Sequence, residues 1–266
     1  MDGLAERARD VCPAGDTPLP LSRSPPFDGE MARPIPLSRR AFGAGFLGAA
    51  AGGVAFAQQA EVDLLLVLLN DGSGSIDADE YALQREGTAA AIERPEVLQA
   101  IARLPTRAIA VAYGEWGSPG TAALILPWAL IAGPQDAEDF ADRLVAAARP
   151  PQTWNAIGDA LATATEWIRG APFRAARATI DLAGDGPDMR STIPAAVARD
   201  RAVMAGITIN ALAIQADGAT PFMGPRNLRA HYEESVIGGP GAFVMTARDR
   251  VDFAHAIFNK LVRELA

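Results

Sequence analysis

Three oxygen-bearing side chains stand at alternate positions in the run Asp71-Gly72-Ser73-Gly74-Ser75, directly after an apolar stretch. Alternate spacing in a tight loop can turn three oxygens toward one centre, and Gly72 and Gly74 would let the backbone bend closely around it. Two more loops hold residues of the same kind. One is Thr153-Trp154-Asn155, at the start of a helical stretch; the other is Asp185, between Gly184 and Gly186 after a later apolar run. Carboxylate, hydroxyl and amide oxygens suit a hard divalent cation, magnesium first, with manganese or calcium as alternatives. Magnesium takes few direct protein ligands, so two carboxylates and two hydroxyls leave room for an acidic group from a partner.

Other chemistries find less support. The chain has one cysteine, Cys12, and two histidines, His231 and His255, which excludes zinc sites of the Cys-rich or His-rich kinds. Asp71 stands where a G-x-S-x-G nucleophile elbow needs its first glycine. Asp77 stands where a dinucleotide fingerprint needs its last, and no lysine follows as in a phosphate-cradling loop. A metal-dependent hydrolase acting on phosphate esters, with Asp71 as nucleophile or metal ligand, is the alternative. It lacks a His, Lys or Tyr at the loop ends to serve as general base. The reading is therefore of a binding protein with no catalytic residue. A net charge of -8 and a pI near 4.9, with no basic cluster, argue against a nucleic-acid partner.

The elements that would position these loops alternate along the chain. Val62 to Leu69 is an apolar run broken only by Asp63, the pattern of a strand buried on both faces. Helices are expected over about 79–93, resuming to Arg103 after Pro95, over 135–148 and over about 155–169. Strands are expected over 108–116 and 122–128, joined by Gly117-Ser118-Pro119-Gly120 as an antiparallel hairpin. A strand over 178–183 leads into the Asp185 loop. Helix 193–205, strand 207–214, a short helix near 227–236, a short strand at 242–245 and a closing helix over 249–265 complete the order. This alternation implies one α/β domain: an open, mostly parallel, doubly wound sheet of Rossmann-like type with one antiparallel edge strand. Ligands of such sheets sit at the carboxyl ends of the strands, where all three oxygen-rich loops fall.

Bland roles suit several neighbours. Asp159 lies in a first helical turn, where a carboxylate meets the helix dipole favourably. Glu115 reads as a solvated or rim residue beside a packing Trp116. Asp188 and Asp217 read as loop solvators, and both histidines as residues of helix surfaces.

The first 57 residues read differently from the rest. Ser38-Arg39-Arg40-Ala41-Phe42 precedes an uncharged Gly/Ala-rich stretch ending in Ala55-Phe56-Ala57, a basic region, a weakly apolar core and a small-residue cut site. The paired arginines resemble a twin-arginine export signal. The stretch is too short to span a membrane, which takes roughly 20 strongly apolar residues. The expected division is an extension and signal over 1–57 and the domain over 58–266, without a membrane span and placed in the periplasm or outside the cell. Removing six basic and six acidic residues leaves the charge at -8.

The segments VDLLLVLLNDGSGSIDADEYALQREG, AIAVAYGEWGSPG, NAIGDAL, IDLAGDGPD, AGITINALAI and VIGGPGAFV, in this order, resemble a bacterial family of von Willebrand factor A-like proteins, DUF1194. The D-x-S-x-S run looks like the first loop of the metal-ion-dependent adhesion site of such domains. The resemblance implies that Asp71, Ser73, Ser75 and Asp185 hold the metal and that a protein partner completes it with an acidic side chain. Where such domains usually supply a threonine, this chain has Asn155, with Thr153 close enough to compete.

Overall fold

The computed structural model describes residues 59–74, 76–214 and 227–266. The N-terminal signal reading, Ser75 and Asp217 lie outside the described residues.

Strand β1 (Ala60–Asp71) is flanked by β2 (Ile109–Trp116) on one side and β4 (Phe173–Gly184) on the other, parallel to both. β5 (Ile207–Ile214) and β6 (Val244–Ala247) continue the parallel set beyond β4. β3 (Ala123–Ile131) closes the far edge, antiparallel to β2. The order β3-β2-β1-β4-β5-β6 reverses direction between β1 and β4, the point where doubly wound sheets open a crevice for ligands. This is the expected fold: a mostly parallel α/β sheet covered on both faces, with one antiparallel edge strand.

Because side chains alternate across a strand, β1 serves two cores. Val67 and Leu69 face α4 (Ile157–Arg169), α5 (Ala195–Met204) and α6 (Leu228–Ser235). Leu64, Leu66 and Leu68 face α1 (Ala78–Ile92), α2 (Pro95–Ala102), α3 (Pro134–Ala146) and α7 (Arg250–Leu265). Asp63, the one charge in the apolar run, accepts from the Thr106 backbone N–H at 2.9 Å and pins the turn that enters β2.

Of the boundaries that differ from the sequence reading, three have a clear physical reason. β4 begins at Phe173, five residues early, because β1 extends back to Ala60 and offers it partners. The start of β4 is partly exposed and carries Arg174 and Arg177, so it does not read as an apolar run. β6 lies two residues later than expected, at the segment paired with Ala211–Ile214. α4 begins at Ile157 and not at Asn155, because the non-helical backbone of Ala156 keeps Asn155 in the loop.

The face under α7 contains a buried charge network that periodicity could not reveal. Lys260 of α7 pairs with Asp181 of β4 and, at 3.0 Å, with Glu264. Glu264 also accepts from Asn210 Nδ2 at 2.7 Å. Burial pushes the Asp181 carboxyl up to about 6 against the pull of the Lys260 ammonium. The native state therefore binds a proton that the unfolded chain releases near pH 4. That contribution to stability is complete below about pH 4 and is lost as pH rises through about 6. In urea titrations, wild type compared with Asp181→Asn should lose relative stability between about pH 4 and about pH 6 and change little above about pH 7. A relative stability that rises over this interval would contradict the burial argument.

Candidate functional site

Asp71 ends β1 with no solvent exposure. A buried carboxylate needs donors. Its Oδ1 accepts from the Ser73 N–H at 2.8 Å, which curls the chain back over the strand end. Its Oδ2 accepts a longer bond, 3.4 Å, from the Asp185 N–H at the end of β4. The Asp71 carboxylate is thus joined to the Asp185 backbone across the crevice between β1 and β4.

The first loop is held from every side. The Gly72 N–H donates to the Trp116 carbonyl at 2.8 Å and the Gly74 N–H to the Thr153 carbonyl at 3.3 Å. Gln84 Nε2 donates to the Asp71 carbonyl at 2.8 Å. Arg149 lies over the Tyr81 ring at 4.3 Å and donates to the Ile76 carbonyl at 2.9 Å and the Ser73 carbonyl at 3.3 Å. Asp77 then caps α1, accepting from Asp79 and Glu80 N–H groups, while Glu80 accepts from the Asp77 N–H. This capping box fixes where the loop stops. Neither Gly72 nor Gly74 adopts a positive φ, and a Cβ on either would make only ordinary contacts. Their small size is not demanded by the surrounding protein, contrary to the expectation of a tightly bent backbone.

In the second loop Thr153 and Asn155 are held differently. Thr153 Oγ1 is 2.7 Å from Ser118 Oγ, and its carbonyl is taken by Gly74, so both oxygens serve loop packing. The Asn155 carbonyl accepts from Ile157 at 3.0 Å and Met189 at 2.7 Å, tying the second loop to the third. Its side-chain Oδ1 is buried without a hydrogen-bond partner. A Cβ at Gly186 would lie 2.3 Å from Asn155 Nδ2, so glycine there is what admits the asparagine. The loops that carry Asp71, Ser73, Asn155 and Asp185 therefore meet at one edge of the sheet.

The neighbours need correction. Glu115 is fully buried, not solvated. It accepts from Tyr81 Oη at 2.7 and 2.8 Å and from Arg85 Nε at 2.9 Å. Burial, and then the bond to Glu115, raise the Tyr81 phenol well above its ordinary range. Asp188 is no loop solvator: it accepts from the Gly158 N–H at 3.2 Å and the Ala195 N–H at 3.0 Å, and also binds Ser191. His231 is half-buried and accepts from the Asp188 N–H at 3.2 Å. Asp159 is structural as expected, accepting from Thr192 and Ile193 N–H groups at 3.0 Å. Gln84, Arg85 and Arg149 were not anticipated. Their work depends on contacts 13 to 77 residues away in sequence, which leave no local signal. Among the described residues no group of three or more His, Cys, Asp or Glu side chains could hold a metal.

The fold is like that of von Willebrand factor A domains. The family described as "Protein of unknown function (DUF1194)" matches residues 61–266, and the chain belongs to it. No match was found among curated proteins. Several solved structures are similar. Proximal thread matrix protein 1 of the mussel byssus, with a zinc-occupied MIDAS motif, superposes with a TM-score of 0.56 at 15% identity, over 79% of this chain and 49% of that one. The pilus adhesin SpaC from Lactobacillus rhamnosus GG gives 0.54 at 15% identity, over 78% and 30%. A von Willebrand factor type A structure from Catenulispora acidiphila gives 0.52 at 18% identity, over 77% and 43%. The chain spans half or less of the length of each of these structures. At such identities the likeness establishes the fold. No helix among the described residues is long and apolar enough to cross a membrane.

The buried Arg85–Glu115 pair supports the floor of the site and can be tested alone. Glu115→Ala leaves the Arg85 guanidinium buried and unpaired, and should lower unfolding stability by about 3–5 kcal/mol. A loss below about 1 kcal/mol in urea melts, the value of an exposed pair, would show that the pair does not hold α1 to β2.

Proposed function

We propose that this chain is an exported, metal-dependent docking module. In it Asp71, Ser73, Ser75, Asn155 and Asp185 hold a divalent cation, magnesium in preference to manganese or calcium. The observation that carries the reading is the Asn155 amide oxygen, buried without a hydrogen-bond partner beside the loop of Asp185 and in the loop next to Asp71. Leaving a polar atom so placed costs about 1–3 kcal/mol, and a hard cation is the ligand its chemistry suits. The zinc-occupied MIDAS motif in one similar structure and the pilus-adhesin context of another support a divalent cation and a role in adhesion or scaffolding.

When bound, the cation would neutralise the two aspartates and offer a coordination position to a carboxylate from a partner protein. The residues of this chain orient that position; none is assigned a catalytic task.

Adding magnesium or manganese to chelated protein should raise its melting temperature, by the equivalent of roughly 2.7 kcal/mol at about a hundred times the dissociation constant. Asp71→Ala and the more exposed Asp185→Ala should each remove the shift. An unchanged shift in both variants, or no shift in wild type, overturns the site. Turnover of a generic phosphate ester by the pure protein would instead support the hydrolase alternative.

Export by the twin-arginine route, with cleavage after Ala57, belongs to the same proposal and gives a periplasmic or secreted module. Replacing Arg39 and Arg40 by lysine should leave uncleaved precursor in the cytoplasm of a host that exports the wild type. Undiminished export of the double-lysine variant would refute this route.

A further inference from the structure

Resting on that reading of the metal site, we infer that Trp154 and Arg190 form its recognition rim. The rim selects partner segments carrying two acidic residues close in sequence, one for the metal and one for Arg190.

The pair bridges the second and third loops. Trp154 immediately precedes Asn155, and Arg190 follows Met189, whose N–H is bound to the Asn155 carbonyl at 2.7 Å. The Arg190 guanidinium lies over the Trp154 ring at 4.7 Å. Trp154 is 44% exposed, unusual for the largest aromatic side chain, whereas Trp116 in the same region is completely buried. Arg190 is exposed and makes no ion pair or side-chain hydrogen bond among the described residues.

The backbone at Arg190 is also informative. Its φ of +67° lies in the left-handed region, which costs a non-glycine residue energy. The strain is maintained by the preceding residues: Asp188 accepts from Gly158 and Ala195 and donates its own N–H to His231. The loop thus presents the arginine from a fixed base, with its guanidinium over the Trp154 ring. Contact with the ring uses no hydrogen-bond donor, so the N–H groups of the guanidinium remain to meet a carboxylate in bidentate fashion.

Charge explains why the rim should act together with the metal. Asp71 and Asp185 carry two negative charges that repel an acidic partner while the site holds no cation. A divalent cation cancels them, and Arg190 then offers an acidic partner a positive charge beside the metal in a protein whose overall charge is -8. A single carboxylate would satisfy the metal and leave Arg190 unused. Two would engage both. Tryptophan and arginine are also the side chains that most often dominate interface energies.

The test uses fluorescein-labelled Gly/Ser peptides carrying either one aspartate or an aspartate and a glutamate separated by one to three positions. Binding to the full mature chain is measured by anisotropy in magnesium and in chelator. A charge-assisted bond of about 1.5 kcal/mol corresponds to roughly tenfold, so in magnesium at least one two-acid peptide should bind about tenfold more tightly than the one-acid peptide. Arg190→Gln should reduce that advantage to within about twofold, and Trp154→Ala should weaken it. Both variants should keep the metal-induced melting shift. Equal binding of one- and two-acid peptides, an advantage that survives Arg190→Gln, or no binding of any two-acid peptide in magnesium overturns the rim. A missing metal shift in wild type is the failure of the metal site itself, and is read separately.

Discussion

A carboxylate buried at the end of the innermost strand imposes the strictest condition on this molecule. Asp71 has no solvent exposure, so its oxygens must be satisfied from within. One donor comes from its own loop, through Ser73, and one from the end of β4, through Asp185. Meeting both requirements determines the curl of the first loop and the approach of the third. The strand order makes this possible: β1 lies between two parallel neighbours whose ends fall on the same edge. Below the carboxylate the polar layer continues. Asn70 donates to Tyr113 Oη and Thr88 Oγ1, and Gln84 donates to the Asp71 carbonyl, so the floor under the loop is hydrogen-bonded and not merely packed.

The same face of the sheet carries two buried ion pairs that join a helix to a strand, and they act in parallel. Arg85 joins α1 to β2 through Glu115, and Lys260 joins α7 to β4 through Asp181. Buried pairs seldom stabilise a fold relative to apolar residues of equal volume, because both charges lose water. They do penalise misplacement heavily. A helix that slid by one turn would leave a buried charge alone. Between the pairs, α1 and α7 approach closely at Gly87, where a Cβ would lie 3.1 Å from Ala254. The ion pairs add to the register that this contact and the apolar packing around it provide.

This division between apolar pattern and paired charge also explains what could be read from the sequence. β1, the hairpin and β5 follow from apolar runs and turn residues, and β5 was placed to the residue because Gly206 and the run 207–214 mark both ends. Asp71, Ser73 and Asp185 were legible because small polar residues at strand ends are local signals. Glu115 was misread because a charge inside a strand looks solvated unless its partner, thirty positions away, is known. Asp188 reads as a solvated loop residue because it follows Gly186-Pro187, yet its oxygens hold the starts of α4 and α5. Lys260 was hidden within the amphipathic pattern of the closing helix. Pairing across distant segments leaves no periodicity.

Asn155 is the case where local pattern and tertiary structure have to be weighed together. Exchanging a hydroxyl for an amide changes reach but not charge. The longer side chain fits because Gly186 gives up the space of a Cβ, while the Asn155 carbonyl is anchored by Ile157 and Met189. Thr153, nearer the expected chemistry, has its hydroxyl committed to Ser118. With a neutral ligand in the second loop, the carboxylates of the proposed metal site would remain Asp71 and Asp185. A third carboxylate there would make a loaded site anionic and repel the acidic partner proposed for it. A neutral amide would leave the loaded site free of excess negative charge, and so preserve the attraction on which the proposed docking depends.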